Sequence, residues 1–290
     1  MFYYLGPVAP AYMTLALVLM FVMPLSTLLA FVAGATAQRL RKRMYTLLLL
    51  ASVLVLPCAL WQTGRVVPGA GDDLSGVAVM HAFGGELAAA AKAVGNSPGP
   101  HLGQYAYLVP LLDSTEVVLL ATSGEEAGLR GAKRYCTEHA ADFKALPTAA
   151  LVLESTHDVE HLSVISAEPW PGAYHDPALV ALAVSAAASA GLGKPLKVVS
   201  LPLGGTDGTA FTRAGVATAV LNAVDVTVLP PQYHTRLDTL DSVQPEALEA
   251  QLKVVLHTAA AFGRGEWRGP GAKQSWLARL TRGNATAAEL

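Results

Sequence analysis

The chain has 290 residues, 52% of them hydrophobic and only 14% charged, with a formal net charge of −2. That length accommodates one large globular domain plus a further apolar segment, and the near-neutral balance lacks the basic footprint that nucleic acid requires. Two cysteines make neither a disulfide framework nor a cysteine zinc site, so any metal must be held by His, Asp and Glu.

In chain order, the first features are two uncharged runs, 11–34 and 44–61. Each is close to the ~20 residues that cross a bilayer as a helix. A cleaved signal peptide fits poorly, because the first run is long, lacks a basic flank and is followed at once by the second. Between the runs, AQRLRKR (37–43) carries Arg39, Arg41, Lys42 and Arg43 and no acid. Positive residues in a short loop mark the cytoplasmic side. The expectation is therefore a transmembrane hairpin over 1–61, a multi-pass membrane location with lipid as partner, and everything after Trp61 outside the cytoplasm. A buried helix pair is the alternative.

Further on, Leu74 to Val94 reads as a helix, and Glu116 to Thr122 and Ala149 to Glu154 as buried strands. Asp176 and Pro177 open a helix that Gly191 stops. Lys197 to Leu203 and Ala217 to Ala223 read as strands, and Pro245 to Phe262 as a closing helix. This alternation predicts an α/β domain over 62–262: three layers, a mostly parallel mixed sheet and helices on both faces. A Gly- and Arg-rich flexible tail, 263–290, follows.

The chemistry concentrates where strands end. SGEEAGLRG sets Glu125 and Glu126 side by side after the apolar run VVLLAT. Partly desolvated neighbouring carboxylates repel, and one must bind a proton or share a cation. The bland reading is a helix N-terminus capped by Ser123. PGAGDDLSGVAVM brings Asp72 and Asp73, AALVLE ends on Glu154, GGTDGTAF carries Asp207 and PPQYHTRLDT carries Tyr233 and His234. Acids and an imidazole at strand ends are expected to converge on one crevice and suit zinc. One glutamate of the pair would bind the ion and the other take a proton from water.

From about Pro68 to Phe262, PGAGDDLSGVA, SGEEAGLRG, LVLESTHD and YHTRLDT resemble, in order and wording, the zinc aminopeptidase family of aminopeptidase Y and the bacterial leucyl aminopeptidases, peptidase family M28. The resemblance implies a zinc exopeptidase-like fold and a membrane-tethered enzyme that hydrolyses N-terminal residues of peptides. It makes Glu125 the general base and Asp72 the bridge between two zinc ions. Glu126 and His234 become ligands of one ion, Glu154 a ligand of the other in place of the family's aspartate, and Asp207 a substrate contact. Tyr233, as an aromatic beside His234, is expected to line the substrate pocket, with core packing the alternative.

One departure stands out: the family's His-x-Asp motif, whose histidine binds the other zinc, is missing before Asp72, since residues 1 to 61 contain no histidine. The expectation is that a strand bearing it lies upstream of Met1, and that this chain holds about one tight zinc. Two alternatives stay open: a one-zinc acyl transferase like the glutaminyl cyclases, and a catalytically impaired binding homologue or fragment. His157, His161 and His175 are expected to be solvated or structural. His81, His101, His139 and His257 are expected at the surface.

Overall fold

A computed structural model of the protein describes residues 25, 42, 45–47, 49–50, 67–96, 100–228 and 230–267. The chain divides into two compact units. One comprises Met1–Ala70 with Thr227–Ser242, the other Gly71–Val226 with Val243–Leu290. Apart from a few helical positions between 42 and 50 and one at 25, the two expected membrane spans lie outside the described residues.

The larger unit is mixed α/β. Its helices are α1 (Ser75–Asn96), α2 (Val109–Ser114), α3 (Arg130–Glu138), α4 (Ala140–Ala145), α5 (Pro177–Ser189), α6 (Asp207–Arg213) and α7 (Pro245–Gly263). The strands are β1 (Ala149–Thr156), β2 (Leu162–Glu168), β3 (Ala173–Tyr174), β4 (Lys197–Ser200) and β5 (Ala217–Ala223), in the order β1-β5-β2-β3 with β4 also paired to β2.

The sheet is mixed but not mostly parallel. β1–β5 and β2–β4 run parallel, whereas β2–β5 and β2–β3 run antiparallel. The cause is β2, which the sequence reading missed. It begins at Leu162, six residues after β1 ends at Thr156, and that is too short for the crossover a parallel return requires. The strand expected over Lys197–Leu203 stops at Ser200.

Period-two side chains sort β1 between two cores. Ala149, Leu151 and Leu153 face the larger one, with Val79 and Phe83 of α1, Leu179 of α5 and Val254 of α7. Ala150 and Val152 face the smaller one, with Ala132 and Cys136 of α3 and Phe211 of α6. Helices therefore cover both faces. Ala70–Gly95 is the one helix among the described residues long and apolar enough to cross a membrane, with a hydropathy of 1.3. It packs against β1 and α7 within this unit.

Glu116–Thr122 does not form the expected strand. It keeps strand alternation all the same: Leu119 reaches Gly84 of α1, and Leu120 packs on the α3–α6 core. A strand also needs a ladder, and among the described residues this segment has none, so Val117, Val118 and Leu119 stay 36%, 59% and 45% exposed.

Candidate metal centre

Asp72 and Asp73 lie in a turn, Ala70–Leu74, that runs directly into α1. The Asp73 carboxylate accepts the Gly76 amide at 3.1 Å and the Ser75 hydroxyl at 3.4 Å, which supplies acceptors to the helix's first turn. Ser75 Oγ in turn accepts the Thr156 amide at 3.1 Å, fastening the turn to the end of β1. Gly71 must be glycine: a Cβ there would sit 2.0 Å from the His157 ring. His157 is 2% and His175 5% exposed, so neither is solvated.

Glu125 and Glu126 occupy a closed loop. The Gly131 amide donates to Ser123 O (2.8 Å), the Arg130 amide to Gly124 O (3.0 Å), and the Gly128 and Leu129 amides to Glu125 O (2.8 and 2.7 Å). Gly131 allows this closure, because a Cβ would lie 2.6 Å from the Ser123 backbone. α3 starts only at Arg130, and its N-cap residue is Leu129 with no side-chain cap. The helix-cap reading of SGEE is thereby corrected: Ser123 caps nothing, and the two acids are set by backbone turns.

The carboxylates act on each other. Burial pushes Glu154 well above the usual carboxylate range, and the charges of Asp73, Asp72 and Glu125 push it further. Burial likewise raises Asp73, with Asp72 and Glu125 adding to the shift and bonds from Gly76 and Ser75 opposing it. Four mutually repelling carboxyl groups in a partly buried place form a site whose electrostatics a cation relieves.

The segment Thr227–Ser242 belongs to the smaller unit and is shaped by its own turns. The Tyr233 amide donates to Pro230 O, the Thr235 amide to Gln232 O and the Asp238 amide to Thr235 O, at 3.0, 3.0 and 3.2 Å. His234 is left-handed (φ 56°), and its ring stacks on Tyr233 at 3.8 Å.

Asp207 is the first residue of α6. It is buried, accepts a short hydrogen bond from the Thr122 hydroxyl, and has its carboxyl raised by burial and by Glu168, with the Thr122 bond opposing. The neighbouring Glu168, absent from the sequence reading, is wholly buried. It faces His175 Nε2 at 3.2 Å and accepts from the Thr206 amide (3.1 Å), the Thr206 hydroxyl (2.6 Å) and the Thr209 hydroxyl. The available signal was an acid closing the apolar run LSVISAE, with threonines three apart in TDGTAFT.

No curated protein matches the chain in sequence. Among solved structures it is similar to an aminopeptidase from Aneurinibacillus sp. strain AM-1, with a TM-score of 0.46, 22% identity, and coverage of 68% of this chain and 40% of that one. It is also similar to BSAP, a zinc aminopeptidase from Bacillus subtilis (0.48, 21%, 68% and 42%), and to the LapA aminopeptidase of Legionella pneumophila (0.48, 17%, 70% and 49%). The chain thus spans less than half the length of each of these relatives. The profile of Peptidase family M28 matches residues 53–259, most of the chain and every acidic residue described above, and the protein belongs to that family.

Proposed function

We propose that the protein is a zinc-dependent exopeptidase acting on the N-terminal residue of peptides. The observation that carries this reading is the match of residues 53–259 to Peptidase family M28, over a stretch that contains Asp72, Glu125, Glu126, Glu154 and His234. Asp72, Glu126 and His234 are the residues that would hold the ion: each offers one ligand atom, two carboxylate oxygens and an imidazole nitrogen. That donor set fits zinc, and three protein ligands leave a position open for substrate. Zinc, when bound, supplies Lewis acidity toward a peptide carbonyl and lowers the pKa of water at the site. Glu154 is left for a second, weaker ion.

In this reading Glu125 takes the proton of the attacking water and delivers it to the departing amine. Glu126, fixed by the same loop, binds metal, so adjacent positions divide base and ligand between them. Tyr233, stacked on His234, is the aromatic that meets the substrate. Runs 11–34 and 44–61 tether the domain to a membrane, with the basic loop in the cytoplasm.

The deciding experiment incubates purified protein, loaded with one equivalent of zinc, with an aminoacyl substrate and with an N-terminal glutamine peptide. Release of the first residue supports the proposal. A cyclised product replaces hydrolysis with acyl transfer, and no turnover by a zinc-replete chain leaves a binding homologue.

A further inference from the structure

Glu168 is 0% exposed, and its two oxygens face four polar groups from three residues. Thr206 supplies its amide and its hydroxyl, Thr209 its hydroxyl, and His175 its Nε2. The second nitrogen of His175 continues to the Thr212 hydroxyl at 2.8 Å. Thr206, Thr209 and Thr212 recur every third residue, on one side of α6, so a single buried carboxylate with its histidine grips that helix along its length. Thr206 also caps α6, its hydroxyl oxygen accepting the Gly208 amide at 3.0 Å.

The fit around this grip is close. A Cβ on Gly205 would come within 3.3 Å of Glu168 Oε2, and one on Gly208 within 3.2 Å of the His175 ring and 2.4 Å of Val220. The first residue of α6 is Asp207, whose carboxylate accepts the hydroxyl of Thr122. Thr122 directly precedes Ser123-Gly124-Glu125-Glu126. Two sets of hydrogen bonds, joined by the backbone from Thr206 to Asp207, therefore lead from a core His–Glu pair, through the start of α6, to the root of the loop bearing the two glutamates.

Segment 116–122 has no ladder among the described residues to set its height. Without ladder bonds, a side-chain tie at its end carries more of the positioning. A buried polar network fixes the orientation of its members when every partner is satisfied.

We propose that Glu168, acting through α6 and Asp207, is a positioning residue that sets the SGEE loop by way of the Asp207–Thr122 hydrogen bond. The inference rests on the reading above, in which that loop supplies a zinc ligand and the base. Its consequence is that removing the tie weakens metal binding and turnover without touching either glutamate.

The test compares Thr122→Val, Thr122→Ser, Glu168→Gln and the Thr122→Val/Glu168→Gln double variant. Zinc affinity is measured by competition with a chromophoric chelator, turnover on an aminoacyl substrate, and unfolding by denaturant. Thr122→Val is expected to lose roughly 10–100-fold in zinc affinity and in kcat, the usual effect of losing a group that orients a ligand. Thr122→Ser, which keeps the hydroxyl, restores both. Glu168→Gln shows the same losses, and the double variant loses no more than the worse single one, because the two lie on one line of action.

Unchanged zinc affinity in Thr122→Val, or additive losses in the double variant, overturns the proposal even if stability falls. Should Glu168→Gln fail to fold, the Val and Ser exchanges at residue 122 still decide it. A wild-type chain that binds zinc but cleaves nothing refutes the exopeptidase reading alone, and the affinity arm then judges the positioning. A wild-type chain that binds no zinc removes both.

Discussion

Glu125 and Glu126 are chemically identical neighbours, and their division of labour is the sharpest residue-scale claim. Glu125→Gln keeps shape and hydrogen bonding while removing the base. Turnover is expected to drop by roughly 10²–10⁴-fold with zinc content at the wild-type level, measured by metal analysis of the same sample. Loss of zinc in this variant would mean that the roles are reversed. Glu168 permits a second prediction, on pH. Burial alone would raise its carboxyl, but the bonds from His175, Thr206 and Thr209 outweigh burial and hold it below the ordinary value. A carboxylate depressed in the folded state contributes stability that is present above its unfolded pKa, about 4.3, and is lost as pH falls through the folded value. Glu168→Gln should therefore flatten the decline of stability on the acid side of about pH 4.3, read from denaturant midpoints across pH. An unchanged slope would mean that Glu168 does not titrate in folding.

At the scale of elements, the local signals that worked were those that need no distant partner. Asp176 accepts the Leu179 amide at 2.7 Å at the start of α5, as its position before Pro177 implied. It also takes the Trp267 indole at 3.2 Å. Asp176→Ala should cost about 1 kcal/mol for the cap, or more with the indole bond, in a denaturant titration. Glu116–Thr122 shows the converse. Its side chains alternate as in a strand, yet no ladder forms among the described residues, so its amides should exchange with solvent far faster than those of Ala219–Leu221 in β5. Protection equal to β5 in hydrogen exchange would show that a partner strand pairs with it. The SGEE loop depends on Gly131, where a Cβ would meet the Ser123 backbone at 2.6 Å. Gly131→Ala is expected to destabilise by about 1–3 kcal/mol and to weaken zinc binding with it.

For the whole molecule, two expectations follow from charge and metal. If runs 11–34 and 44–61 form a hairpin with the basic loop inside, a tag beside Lys42 is protected from external protease in intact cells and a tag at Leu290 is cut. The opposite pattern would place the domain in the cytoplasm. Zinc that binds only the folded chain stabilises it by mass action, about 4.1 kcal/mol at a thousandfold excess over Kd. A chelator should therefore lower the unfolding temperature, and zinc should restore it. Indifference to the chelator would count against a metal centre.

What the sequence by itself determined was whatever depends on short range and chain order. Helices α1, α5 and α7 and strands β1 and β5 were legible because apolar period, caps and stops act within a few residues. The acidic positions were legible because SGEEAGLRG and PGAGDD are continuous words. The tertiary structure alone decided what depends on pairing. The direction of β2 made the sheet evenly mixed, and among the described residues Glu116–Thr122 has no ladder. Asp207, expected as a substrate contact, accepts a hydrogen bond from Thr122 and has its carboxyl raised by burial and by the charge of Glu168. The burial of His157, His175 and Glu168 was equally invisible, because a polar residue is read as exposed until the fold supplies partners that satisfy it.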